Sequence, residues 1–242
     1  MKTQKLALLS LLTAGLVVSW PEPAQAGVFS VTPVRIYMGP RDRAVAVTIT
    51  NEGDSELVLQ ADINSWSQNA DGFDELVATE DLILAPPIIK LAPNARQVVR
   101  LALLKPADAS QQLIYRLIMR EVPEVAAVKS GIQVPIALAL SMPVFITPPP
   151  AKREISCELV RKDPRTIDAA CRNTGSAYAQ VREATLLRGT VVQAKFEGGN
   201  YILPGARKAT TMKGEADISA GAIQLRIVFD DGKTQVFENT LP

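Results

Sequence analysis

VTITNEGDSELVLQADINSW, residues 47–66, decides the fold class. Val47 and Ile49 alternate with Thr48 and Thr50, and Leu57, Leu59, Ala61 and Ile63 alternate with Val58, Gln60, Asp62 and Asn64. Between the two runs stands Asn51-Glu52-Gly53-Asp54, a cluster of turn formers. A period of two on either side of such a cluster predicts two short strands and the turn that joins them.

The same pattern extends outward in both directions. Short alternating or apolar runs fall at 29–38, 44–50, 57–66, 97–104, 113–120 and 133–146, with turn signals at 39–42, 51–54, 69–72 and 92–94, and few windows favour a helix. About seven short strands at this spacing predict a β-sandwich of immunoglobulin type. The stiff run Thr147-Pro148-Pro149-Pro150 ends that series, and a second one follows at 155–160, 166–172, 177–187, 190–196 and 224–229. The expectation is an all-β chain of two immunoglobulin-like sandwiches, an N-terminal domain over 27–148 and a C-terminal domain over 149–242.

Residues 1–26 read as a cleaved secretory signal: Lys2 and Lys5, an apolar run over 6–18, then Ala24-Gln25-Ala26 as a small-x-small cleavage site. That apolar run is shorter than the roughly 18 to 20 residues a membrane span needs. The whole chain carries a formal net charge of +1, which falls to neutral once Lys2, Lys5 and Glu22 leave with the signal. No basic footprint for nucleic acid is present. Histidine is absent throughout, which removes Ser-His-Asp and Cys-His catalysis and histidine metal sites. No Gly-rich phosphate loop with a following lysine is found, so neither nucleotide nor any other cofactor is expected, and no catalytic or metal site. The carboxylates Asp71, Asp74, Glu121 and Glu124 fall on turn segments and read as solvated surface rather than as a glycosidase pair.

The two cysteines, Cys157 and Cys171, flank the turn signal Asp163-Pro164 symmetrically. A hairpin turning there sets them opposite one another, which in an exported chain favours a disulfide, with a pair of buried thiols as the alternative. The stretch IQVPIALALS, 132–141, places Ile132, Val134, Ile136, Leu138 and Leu140 on one face of a strand. Pro135 lacks an N–H for a ladder bond, so this strand belongs at a sheet edge or carries a break. Two readings of the aliphatic row stand: it points into its own sandwich core, or it is offered to a partner.

Several stretches together resemble the periplasmic chaperones of the chaperone-usher pilus pathway. They are VTPVRIYM at 31–38, the 47–66 stretch above, LAPPIIKLAPNARQVVRL at 84–101, YRLIMREVP at 115–123 and PVFITP at 143–148, with NTGSA at 173–177 and LPG at 203–205 in the second series. The resemblance implies two sandwiches set at an angle and a protein of the periplasm that is not an enzyme. Its partners would be pilus subunits and an outer-membrane usher; an exposed aliphatic edge is in addition the kind of surface that a self-capping dimer would cover when the protein is free. Each subunit lacks one strand, and the chaperone completes it by donor-strand complementation, here with the row Ile132 to Leu140. In the better-known branch an arginine near the first strand and a lysine near the end of the donor strand grip the subunit's terminal carboxylate. Arg35 matches that arginine; the lysine position is Pro143, and Arg116 in YRL is the candidate replacement, in the manner of the archaic branch. The rival classes are a structural pilus subunit or adhesin and a carbohydrate-binding sandwich. The first is disfavoured because Gly27 leads almost directly into a strand, the second because clustered acids and aromatics are not evident.

Overall fold

The computed structural model describes residues 28–123 and 136–241. Among them the chain is all-β, with seventeen strands and no helix. The first ten are β1 (Phe29–Thr32), β2 (Ile36–Met38), β3 (Ala44–Asn51), β4 (Leu57–Gln68), β5 (Asp74–Ala78), β6 (Leu82–Ala85), β7 (Ile88–Leu91), β8 (Arg96–Leu103), β9 (Leu113–Glu121) and β10 (Ala139–Ile146). They form two facing sheets, one ordered β1-β3-β8-β6 and the other β2-β10-β9-β4-β5 with β7 also on β4. The remaining seven are β11 (Ile155–Arg161), β12 (Thr166–Asn173), β13 (Ala179–Arg188), β14 (Val191–Ile202), β15 (Arg207–Lys213), β16 (Gly221–Phe229) and β17 (Thr234–Leu241). These join in one sheet ordered β11-β12-β15-β14-β13-β16-β17. Its end strands β11 and β17 pack side by side, so it folds over into the second immunoglobulin-like sandwich.

The alternation at 47–66 is what fills the first core. Val47, Ile49, Leu57 and Leu59 are buried between the two sheets with Leu101, Leu117, Met119 and Val144. The run 29–38, which reads as one strand, is two. The chain leaves the first sheet at Thr32, passes Pro33, Val34 and Arg35, and enters the second sheet at Ile36. That crossing moves Arg35 out of the sandwich and towards the second half of the molecule.

In the second half, the Asp163-Pro164 hairpin forms as expected. Cys157 pairs with Cys171 in register and the two are disulfide-bonded, with Cα atoms 4.1 Å apart. Both sandwiches also share a device at a strand end. Asn51 is buried and donates to the Ser55 and Ala92 carbonyls while accepting from the Gly53 amide. Asn173, also buried, donates to the Ala177 and Ile202 carbonyls and accepts from the Gly175 and Glu154 amides. In each case one side chain replaces the backbone partners that the turn removes. At the second turn the chain lies so close that a Cβ on Gly175 would meet the Lys152 carbonyl oxygen at 2.3 Å.

Candidate functional site

Two features of the second sheet point away from its own core. The first is the leading half of β10. On one side it pairs antiparallel with β9 from Ala139 opposite Arg120 to Ile146 opposite Leu113. On the other side β2 covers only Val144, Phe145 and Ile146. Residues 139–143 therefore have one hydrogen-bonding edge without a neighbouring strand among the described residues. The Leu138 carbonyl accepts from Glu121 on β9, while Thr147 donates to Met38 on β2. Even-numbered residues thus serve β9 and odd-numbered ones face the open side. Pro143 is odd, so its missing N–H costs the β9 ladder nothing.

The side chains follow the same split. Met142, Val144 and Ile146 are fully in the core, whereas Leu140, Leu138 and Ile136 are progressively uncovered, at 36%, 39% and 52% exposure. One apolar row therefore starts inside the sandwich and runs out beyond its end. Among the described residues strand structure begins at Ala139, with 136–138 outside it and Leu138 held against β9 by its own N–H to Glu121 Oε2. Ile132 and Val134, expected in the same row, lie outside the described residues, as do residues 1–27 and Glu124.

The second feature is the cleft between the sandwiches. Trp66 from β4 and Phe145 from β10 are on the outer face of the second sheet, yet they belong to the apolar cluster of the other sandwich. Phe145 stacks on Tyr178 at 4.0 Å and on Tyr37 at 5.7 Å, and Trp66 meets Tyr201 edge-on at 5.1 Å. Polar ties flank these rings. Gln68 at the end of β4 donates to the Tyr201 carbonyl and accepts from the Leu203 amide, while Gln112 donates its N–H to the Ser176 carbonyl and accepts from the Tyr178 amide.

Both predicted cations enter this cleft. Arg35 Nη1 donates to Asp230 Oδ2 at 2.8 Å and to the Tyr37 hydroxyl at 3.1 Å, and Nη2 donates to Gln180 Oε1 at 2.6 Å. The Tyr178 hydroxyl donates to the same Asp230 oxygen and lies 2.8 Å from the Tyr37 hydroxyl, which closes a ring of hydrogen bonds. Arg116 behaves differently. Its guanidinium carbon lies 3.6 Å from the centre of the Trp66 ring, Nη1 donates to the Ser141 carbonyl at 3.5 Å, and its ion-pair partner Asp74 is 3.9 Å away. The two guanidiniums sit 5.8 and 5.6 Å from the centre of the same Tyr201 ring, so they share one cleft.

Burial pulls the Arg116 guanidinium below its ordinary range, opposed by Asp74 and Tyr201. For Arg35 burial acts in the same direction but is outweighed by the Tyr37 hydrogen bond and the surrounding tyrosines, which raise it. Burial raises Tyr178 and Tyr201 as well. At neutral pH the cleft therefore holds two guanidinium charges beside neutral phenols, with the Asp230 carboxylate against Arg35 and Asp74 further from Arg116.

Pro143, which stands where the better-known branch carries its lysine, pairs directly with Arg116 across the ladder. Opposed residues project to the same face, so Arg116 and position 143 share one face of the sheet. Asp74 and Glu121 are used structurally, the first beside Arg116 and Gln68 and the second at Leu138. Sequence reading missed the second-half partners of the cleft: Tyr178, Gln180, Tyr201 and Asp230. Tyr178 follows NTGSA directly and Asp230 sits in the Asp-Asp-Gly turn after β16, the only local signals available.

An all-β pair of immunoglobulin-like sandwiches, with an unfinished edge strand and a cationic aromatic cleft between them, defines an assembly-chaperone architecture. Residues 28–152, just over half of the chain, match the family model of the pili and flagellar-assembly chaperone PapD N-terminal domain. The chain belongs to this family, whose members assist assembly and are not enzymes. No curated protein sequence matches it. Among solved structures it is similar to the chaperone in the CsuC–CsuE chaperone–tip subunit pre-assembly complex from archaic chaperone-usher Csu pili of Acinetobacter baumannii. That match has 18% identity and a TM-score of 0.63 and covers 88% of this chain and 98% of the other. It is also similar to the E. coli chaperone DraB, at 18% identity and TM-score 0.57 over 91% of this chain and 99% of that one. A third similar structure is that of the Salmonella enterica SafA pilin with the SafB chaperone, at 14% identity and TM-score 0.57 over 90% and 99%.

Proposed function

We propose that the protein is a periplasmic chaperone of the archaic chaperone-usher type, exported by cleavage after residue 26. Its N-terminal domain, 27–148, supplies a strand to an incomplete pilus subunit, and its C-terminal domain, 149–242, forms the far wall of the cleft. The observation that carries this reading is the unpaired leading edge of β10 with an apolar row emerging beside it. An added strand from a subunit would take up the free backbone groups of Ala139 and Ser141, and the row from Ile132 through Val134, Ile136 and Leu138 to Leu140 would fill the groove left by the subunit's missing strand.

Full burial of a large aliphatic side chain is worth about 1.5–3 kcal/mol, and a third to a half of that remains to be gained at Leu140, Leu138 and Ile136. Arg116 and Arg35 would hold the subunit's terminal carboxylate and so fix the register of the added strand, a task suited to arginine's planar fork. A better-packed donor then replaces the chaperone strand at an outer-membrane usher without nucleotide, and free chaperone pairs its sticky edges in a dimer.

The test is purification of the tagged protein from its native periplasm, beside a variant carrying Ile136→Asp and Leu138→Asp. Both positions are exposed, so the variant should fold. A stoichiometric small subunit retained by the wild type and lost by the variant is the expected result. Retention of the same subunit by the variant would exclude strand donation.

A further inference from the structure

The two arginines of the cleft differ in what they already hold. Arg116 has no carboxylate closer than Asp74 at 3.9 Å among the described residues. Arg35 has a close one, since Asp230 Oδ2 lies 2.8 Å from its Nη1. We propose that Asp230 is an internal substitute for the partner's terminal carboxylate, occupying Arg35 in the free chaperone and giving way when a subunit arrives. This inference rests on the reading above and adds a competitor to it: the Arg35–Asp230 pair tunes how tightly the cleft holds a subunit.

Three observations support an exchangeable pair. First, the geometry is end-on. A single oxygen, Oδ2, serves both Arg35 and Tyr178, whereas guanidinium and carboxylate bind most strongly as a two-bond fork. An incoming chain terminus, with both oxygens free, can form that fork. Second, Asp230 keeps a partner after release, because the Tyr178 hydroxyl donates to it independently of Arg35. A buried carboxylate left without any donor would make the exchange prohibitive; this one is not left so. Third, the two cations of the cleft are unequally matched. Arg35 and Arg116 flank Tyr201, Asp230 neutralises one of them at close range, and Asp74 is more distant and 42% exposed. The position of Asp230 in the turn between β16 and β17 also makes the device an inter-sandwich one. Its backbone is pinned by a bond from its amide to the Gln180 carbonyl, and the Gln180 side chain is the acceptor for Arg35 Nη2.

The experiment uses Asp230→Asn, which keeps the shape and an acceptor for Tyr178 while removing the charge. The probe is a synthetic peptide alternating valine and threonine, prepared with a free C-terminal carboxylate and as its amide. Binding is followed by the fluorescence of Trp66, the single tryptophan outside the first 26 residues, which lies against Arg116. The variant should bind the free-acid peptide about two- to fivefold more tightly than the wild type, the worth of a part-exposed ion pair. Its affinity for the amide should be unchanged, and Arg35→Ala introduced on top should abolish the gain. Tyr178→Phe, which removes the donor that Asp230 keeps after release, should shift affinity for the free acid in the opposite direction, towards weaker binding. Equal or weaker binding of the free acid by Asp230→Asn, in a protein that still prefers acid over amide, overturns the exchange and assigns the pair to holding the sandwiches together. A wild type that binds neither peptide contradicts strand donation itself, and one that binds both equally contradicts carboxylate anchoring. The three failures are thereby distinguishable.

Discussion

Replacing Asn173 tests whether one buried amide holds the turn that presents Tyr178 to the cleft. Its side chain makes four hydrogen bonds: to the Ala177 carbonyl at 2.8 Å, to the Ile202 carbonyl at 3.0 Å, and from the amides of Gly175 at 3.0 Å and Glu154 at 3.2 Å. The residue is wholly inaccessible to solvent. The bonds from Gly175 and Glu154 are only partly buried and can be recovered by water, while the two carbonyls face a dry site. At roughly 0.5–1.5 kcal/mol net for each ordinary bond and more for a buried group left unpaired, Asn173→Ala should cost about 3–4 kcal/mol. Asn173→Asp makes the sharper comparison. It matches asparagine in shape and still accepts from both amides, yet it sets a carboxylate oxygen against the carbonyls of Ala177 and Ile202. Near neutral pH it should be less stable than the alanine variant, by the cost of a buried charge facing like dipoles. Denaturant unfolding followed by far-UV circular dichroism and by Trp66 fluorescence reads both. A loss below about 1 kcal/mol for Asn173→Ala, or an aspartate variant more stable than the alanine one, would refute the account of the turn.

Further outcomes follow from other parts of the fold. Reducing the Cys157–Cys171 disulfide, or replacing both residues by serine, opens a closed loop of about 15 residues and should lower stability by roughly 3 kcal/mol in a denaturant titration; an unchanged midpoint would count against that estimate. Asp81 is an internal pH probe. Burial opposes its ionisation, but hydrogen bonds from Lys105 and Tyr115 prevail and hold its carboxyl below the ordinary value, with Tyr115 pushed up to about 12. Its folded pKa is depressed, so its contribution is present above the ordinary carboxylate range and is lost as pH falls through the folded value. The acid limb of stability against pH should therefore be flatter in Asp81→Asn than in the wild type, and identical limbs would contradict the linkage.

What was legible in the sequence was legible because of periodicity. Where one strand face meets core and the other meets water, as in 44–50 and 57–66, alternation announces the strand. β5 was missed because its burial gives no such contrast: all of Asp74–Ala78 is exposed. β15 and β17, rich in Lys, Thr, Gln and Glu, carry a diluted version of the same signal. The break at Arg35 was hidden for another reason, since β1 and β2 both alternate and only their assignment to different sheets separates them. The cleft was half legible. Arg35 and Arg116 could be singled out through resemblance, but their neighbours Tyr178, Tyr201 and Asp230 come from residues at least 62 positions later than either, and no local pattern encodes a contact made only by the packing of two sandwiches.

On the proposed reading, Arg116 opposite Pro143 explains why a departure from a family pattern need not be a loss of function. A cation is useful here only if it projects from the outer face of the second sheet, beside the end of the open edge. Position 143 satisfies that condition, and so does position 116, because the two are opposed in the β9–β10 ladder. The swap also has a local physical advantage. A lysine at 143 would extend from the strand that must stay accessible, whereas Arg116 comes from β9, one strand further in, where its guanidinium carbon lies 3.6 Å from the Trp66 ring centre. Stacking removes much of the rotational freedom that a long side chain otherwise loses on binding. Position 143 is then free to take a proline, whose fixed φ and missing N–H suit an edge residue facing away from β9. The proline in turn ends the open edge, since it offers an added strand no donor. On the proposed reading a partner strand would pair along Ala139 and Ser141 and stop being held by backbone donors at Pro143, which is where the guanidinium of Arg116 begins.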